Sequence, residues 1–253
     1  MIVTTVVLGL VSWAVTYLTT KAESLTQSDE PLVTVSVETN PALVGAFEDK
    51  AMMGVVPVGT RSTRGPGTGC QAFHDWLISI GGVDAGDSKL QVAVQGAASQ
   101  QVQINNMRVI LLKREKPTPS VGLSCPSAGA ANLRPITIDL DQAVPRARYQ
   151  AKGRLFGFTV NKGDIETFLV TATAKKARYT WYLELDVVSQ GKKATVRVDN
   201  YGKPFITAPA PESLGWSWNY SDAWYPDDGF DRSRRLAAGG PFIEPPTAAS
   251  KVR

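Results

Sequence analysis

The run YTWYLELDVVS, residues 179–189, alternates bulky apolar and polar side chains along its whole length. Tyr179, Trp181, Leu183, Leu185 and Val187 share one face, and Thr180, Tyr182, Glu184 and Asp186 share the other. That period of two belongs to a strand with a core on one side and water on the other. Segments 154–160, 165–174 and 194–199 carry the same kind of pattern. Short turn-forming clusters separate them: NKGD at 161–164, KKAR at 175–178 and QGKK at 190–193. Connections of this length predict an antiparallel meander, because parallel strands need long crossovers.

Working toward the N-terminus, strand patterns recur at 31–38 (PLVTVSVE), 89–95 (KLQVAVQ), 101–113 and 135–141 (PITIDLD), with a shorter one at 53–58. Asn105-Asn106 interrupts the long run and marks a bulge or bend. A single soluble helix is expected over 71–80: Phe73, Trp76, Leu77 and Ile80 fall at i, i+3, i+4 and i+7, and Gly81-Gly82 ends it. The expected fold is mainly β, an antiparallel sandwich or meander with that one helix, behind an N-terminal transmembrane helix. Its parts read as an anchor at 1–22, a tether at 23–30, a β-rich subdomain at 31–145 and the meander at 146–206, in the same domain or a second one. A Pro-, Gly- and aromatic-rich tail follows at 207–253, with a mobile end from 232. Residues 60–69 (TRSTRGPGTG) read as a flexible connector.

The anchor is IVTTVVLGLVSWAVTYLTT, residues 2–20, which has no charged side chain. At about 1.5 Å per residue, a helix of about 19 residues spans about 28 Å, close to the hydrocarbon thickness of a bilayer. It has no polar face, and Trp13 and Tyr17 sit near one end, where amphipathic rings favour the headgroup level. A cleaved signal peptide is the rival reading, but the basic n-region is missing. Lys21 directly after the segment leaves the charge rule for orientation almost tied. The two cysteines, Cys70 and Cys125, arbitrate: both lie beside turn residues, and an even count outside the cytosol predicts one disulfide. An uncleaved anchor and a disulfide together predict a single-pass cell-membrane protein with its bulk extracytoplasmic.

Composition narrows the chemistry. With 253 residues, 43% hydrophobic and 20% charged, the chain can bury a real core. The net charge of +4 is spread through strand-like segments, which argues against nucleic acid as a partner. His74 is the only histidine, and its neighbour Asp75 is about 100° around the helix, so the two side chains diverge. A base-plus-orienter pair would need another carboxylate brought by the fold; His74 reads as structural or exposed. No zinc constellation, P-loop or EF-hand register is present, and no metal or cofactor is expected. The carboxylates Asp164, Glu166, Glu184 and Asp186 are candidates for a glycosidase-type pair only in that they lie on adjacent strands, and a polar strand face explains them; Asp139 and Asp141 read as solvated. No catalytic residue is assigned, and the chain is expected not to be an enzyme.

The most distinctive soluble stretch is WSWNYSDAWY, residues 216–225. Trp216, Trp218, Tyr220, Trp224 and Tyr225 either pack over the sheet or contact a ligand or partner. In the anchor, Thr5, Gly9, Ser12 and Thr16, continuing to Thr20, form a small-residue stripe that would let helices approach closely.

The runs FGFTVNKGD (156–164), WYLELDV (181–187) and VDNYGKPF (198–205) resemble membrane-anchored extracytoplasmic proteins of actinobacteria, Streptomyces in particular. The resemblance extends over most of the chain and implies a cell-envelope setting, with no activity and no functional residues to carry over. The expected function is binding or assembly at the envelope, through a cell-wall polymer or a protein partner. A carboxylate hydrolase and a membrane-tethered subunit of a larger complex are the alternatives.

Overall fold

Two mixed β-sheets hold nearly all the regular structure. In chain order the strands of the first half are β1 (Val33–Glu38), β2 (Met52–Pro57), β3 (Val83–Ala85), β4 (Asp87–Gly96), β5 (Val102–Glu115), β6 (Ser120–Cys125) and β7 (Arg134–Asp139). Those of the second half are β8 (Arg148–Tyr149), β9 (Phe158–Val160), β10 (Ile165–Thr173), β11 (Arg178–Ser189), β12 (Lys192–Val198), β13 (Phe205–Ala208), β14 (Trp216–Asn219), β15 (Ala223–Pro226) and β16 (Leu236–Ala237). Among the described residues there are two short helices, α1 (Pro41–Val44) and α2 (Phe73–Ser79). This computed structural model describes residues 31–44, 52–126, 133–150, 155–211, 215–219, 223–226 and 234–243. The expected anchor, with Thr5, Gly9, Ser12 and Thr16, lies outside the described residues, as do Tyr220 and the acidic run 227–231. Among the described residues no helix is long and apolar enough to cross a membrane.

The smaller sheet runs β1-β4-β10-β7-β8, and the larger runs β16-β15-β14-β6-β2-β3-β13-β11-β5-β9, with β12 also on β11. The alternation that opened the sequence has its expected consequence. Tyr179, Trp181, Leu183, Leu185 and Val187 of β11 are buried against Leu90, Val92 and Val94 of β4, Ile136 and Ile138 of β7, and Phe168 and Val170 of β10. Side chains of both sheets therefore make one core, the arrangement of a β-sandwich.

The register of β5 against β11 skips Asn105, pairing Asn106 with Asp186 and Ile104 with Val187. The bulge thus falls inside the Asn-Asn pair, and a second irregularity at Leu112 leaves that side chain half exposed.

The purely antiparallel meander requires correction. β10 and β11 follow one another across a short turn, yet they do not pair. β10 lies between β4 and β7, parallel to β7, while β11 lies in the other sheet. Parallel pairs also join β13 to β3 and β14 to β6. A short connection guarantees only that two strands are near each other, and a corner between packed sheets satisfies that as well as a hairpin does. Asp141 builds this corner. Its carboxylate accepts the backbone N–H of Lys175 and Lys176 at 2.8 and 3.0 Å and the Tyr179 hydroxyl at 2.6 Å. Burial opposes the Asp141 charge, but these donors prevail and hold its pKa below the ordinary value. Burial and the same carboxylate push the Tyr179 hydroxyl up to about 12. The solvated reading of Asp141 is corrected accordingly. The hairpin expected at QGKK does form, with Gln190 and Gly191 both at positive φ, as a type I′ turn requires.

The chain passes from β3 in the larger sheet to β4 in the smaller one through the single residue Gly86, at φ +79. Its N–H donates to Ala208 at 2.8 Å and its carbonyl accepts from Ala174 at 2.8 Å. Just beside this crossover the sheets share a buried polar contact. The Thr207 hydroxyl oxygen accepts the Trp181 indole N–H at 3.0 Å and lies 2.7 Å from the Ser88 hydroxyl. Thr207→Val keeps the shape but leaves the indole N–H without its acceptor. It is expected to cost about 1–3 kcal/mol, and Thr207→Ser much less, as read from urea unfolding midpoints. Equal midpoints for wild type and Thr207→Val would dismiss the bridge as a stabilising contact.

Candidate functional site

Three elements meet where the sandwich ends and the rest of the larger sheet continues. Helix α2 buries Phe73, Trp76 and Leu77, the apolar face legible from their spacing. It closes with Gly81 donating to the Ile78 carbonyl at 3.1 Å and Gly82 to that of Leu77 at 2.9 Å, the two bonds of a Schellman stop. A Cβ on Gly82 would meet the Leu77 side chain and carbonyl oxygen at 2.5 and 2.8 Å, so no larger residue fits. The tight stop sets β3 directly against the helix and brings Asp84 to His74.

His74 is only 6% exposed. Its Nε2 lies 3.2 Å from Asp84 Oδ1, a hydrogen bond between helix and strand. Its Nδ1 lies 3.7 Å from Asp75 Oδ1, too far for a hydrogen bond, and has no other partner among the described residues. Burial disfavours the charged ring, but the Asp84 bond and the two carboxylate charges outweigh it and raise the His74 pKa above 6.5. The sequence lacked any sign of this pairing. Asp84 is ten positions away, and only the double-glycine stop between them hints that helix and strand fold back together.

This pair borders two openings. One is a gap of about 20 Å³ beside Met52, Met53, Asp87 and Lys89, room for about one water. The other is an open cleft of about 310 Å³. Ile78, Val83, Leu90, Pro204, Phe205 and Ile206 supply its apolar wall, and Thr39, His74, Asp84, Asn200 and Lys203 its polar groups. Asn200 and Lys203 close a second type I′ turn, exchanging backbone hydrogen bonds at 2.8 and 3.0 Å around Tyr201 (φ +52) and Gly202 (φ +83). The Asp199 carboxylate braces the turn by accepting the Gly202 N–H at 2.7 Å. Tyr201, at its tip, is 88% exposed.

The aromatic stretch 216–225 is elsewhere, and its described rings follow the packing alternative. Trp216, Trp218, Trp224 and Tyr225 are all buried, the first three in a second core with Phe73, Trp76 and Phe242. Their indole N–H groups are spent on loop carbonyls: Trp76 donates to Arg64, Trp216 to Ile243, Trp218 to Gly67 and Trp224 to Ala238, at 2.7–3.0 Å. These rings cannot present a contact surface. The loop 60–69, expected to be a flexible connector, is pinned by two of these bonds and by Ser62 donating to Gly239 at 2.7 Å. The expected mobile end likewise holds β16 and the fully buried Phe242, because that ring fills the second core.

Cys70 and Cys125 form a disulfide inside this core. The four carboxylates considered for catalysis all have structural partners. Arg108 reaches both Glu184 and Asp186, Arg134 pairs with Glu166, and Asp164 accepts from Asn161.

The fold is mainly β, two mixed sheets with a ligand-sized groove at the β3–β13 junction, lined by residues of the sandwich core and of the small cluster around Val83. Compared with protein-family models and with curated proteins, the chain matches none.

Because His74 is the only histidine, its ring resonances are unambiguous. Its raised pKa means that its stabilisation is fully present below pH 6.5 and is lost as pH rises through the folded value. An NMR titration is expected to give a midpoint above 6.5, and Asp84→Asn to lower it. A wild-type midpoint at or below 6.5 would remove the carboxylates as its dominant influence.

Proposed function

We propose that the chain is a single-pass membrane protein that displays this disulfide-stapled β-domain outside the cytoplasm and binds a ligand at the cell envelope. The observation that carries the reading is the Cys70–Cys125 bond. Disulfides persist in oxidising compartments and are rare in the cytosol, so the bond suggests an extracytoplasmic setting. The uncharged run at 2–20 supplies the attachment in this reading, as does the resemblance to actinobacterial envelope proteins. Binding rather than catalysis is supported by the make-up of the cleft. Its volume lies at the small end of the about 300–1,000 Å³ common for ligand sites, its wall is mainly apolar, and a few polar groups converge on it. In this proposal the ligand contact lies in the groove beside Asn200 and Lys203 rather than on the aromatic stretch.

Topology is directly measurable on the full-length chain. An exposed reporter, Tyr201→Cys, is expected to react with a membrane-impermeant maleimide in intact cells. The native cysteines, probed after denaturation, should react only once reductant is added. Reporter labelling that requires lysis, or native thiols free without reductant, would overturn the extracytoplasmic assignment.

A further inference from the structure

The cleft carries more than its volume, because its charge is unbalanced. Three arginines elsewhere on the sheets are ion-paired: Arg108 with Glu184 and Asp186, Arg134 with Glu166, and Arg197 with Asp199. Within the cleft, Asp84 is taken up by His74 at 3.2 Å. Lys203 has no ion-pair partner among the described residues. The lining is therefore neutral at its inner polar pair while His74 is charged, and carries one uncompensated cation at Lys203.

That lysine is fixed at its backbone. It closes the type I′ turn through two hydrogen bonds with Asn200, and Asp199 braces the turn from within. Pro204 follows at once, with its φ locked, and Phe205 turns the chain into the apolar wall. A cation, an amide side chain and an apolar wall thus follow one another within six residues, on a support that pays little entropy on binding. Facing them are Ile78 at the end of α2, Val83 in β3 and Leu90 in β4.

We propose that this cleft binds a small single-chain anionic amphiphile, its chain against Ile78, Val83, Leu90, Phe205 and Ile206 and its anionic head at Lys203 and Asn200. The size argues for one chain free in solution rather than a two-chain lipid held in a bilayer, since about 310 Å³ is the low end for any ligand site. The inference rests on the binding reading above and adds the charge and shape of the ligand.

The test uses the full chain in lipid nanodiscs free of detergent, labelled with ¹³C-histidine, so that His74 reports from the cleft itself. At fixed pH, and below micelle-forming concentrations, three probes of similar chain length are titrated: decanoate, octyl glucoside and decyltrimethylammonium. Decanoate is expected to shift the His74 resonances saturably and to bind tightest, with the cationic probe weakest. Lys203→Ala is expected to weaken decanoate about tenfold, since a charge-assisted contact of this kind is lost, and to leave octyl glucoside unchanged. Ile206→Trp, which fills the cleft, is expected to abolish all three shifts while near-UV circular dichroism remains native. Equal affinity for the three heads, or decanoate binding indifferent to Lys203→Ala, would overturn the anionic specificity and leave cleft binding standing. No saturable shift with any probe would remove the cleft as a binding site for amphiphiles altogether. A shift that survives Ile206→Trp in a folded protein would place the binding elsewhere and overturn the inference.

Discussion

The burial of one face of β11 is the constraint on which the rest of the fold depends. Twelve residues long, it carries β5 on one edge and both β12 and β13 on the other, and it sets Tyr179, Trp181, Leu183, Leu185 and Val187 in a row. At about 25 cal/mol per Å² of apolar surface, leaving that row in water would cost more than a domain's net stability. A second sheet must cover it, and β4, β7 and β10 do so with complementary rows of their own. The Asp141 corner and the Gly86 crossover are two of the places where the chain moves between the layers. Both are polar solutions to an apolar demand: a carboxylate collects the free amides of one turn, and a residue without a Cβ takes the positive φ of the other.

Strands were legible in the sequence because alternation is local, and so were α2, the Asn105 bulge and the Gln190-Gly191 turn. Which strands pair was not. The segment between Thr173 and Arg178 looks the same whether the strands it joins share a sheet or face each other across a core. Only the partners β7 and β4, far away in sequence, decide the outcome. The parallel pairs, such as the two-residue contact of Thr207 with Asp84 and Ala208 with Ala85, leave no trace in periodicity at all.

The aromatic stretch shows how composition misleads about exposure. Five aromatic residues within ten positions look like a binding surface because Trp and Tyr are costly to bury unless their polar atoms find partners. Here the partners of its three indoles are backbone carbonyls of irregular loops: Gly67, Ala238 and Ile243. The indoles satisfy the loops as much as the loops satisfy the indoles. A segment rich in Gly and Pro cannot pair its carbonyls in a ladder, and it becomes ordered only when something supplies donors. The disulfide within the same core adds a covalent restraint between the start of α2 and the end of β6.

The cleft then follows from having two cores on one sheet. The smaller sheet covers β11 and β5, while α2 and the indole-pinned loops cover β2, β6 and β14. At the junction β3 and β13 meet over two residues and bury only the small cluster of Val55, Val83, Ala85 and Ala208, and the groove lies beside it. A bare apolar groove at that point would be a liability, since exposed apolar patches invite association. The groove is instead edged by the His74–Asp84 pair inside and the braced Asn200–Lys203 turn outside. Tyr201 takes a positive φ at the tip of that turn, a position where Asn or Gly would be unstrained, although its ring is almost wholly in water. Neither the strain nor the exposure helps this chain fold. Both are what the proposed binding site would place at its edge.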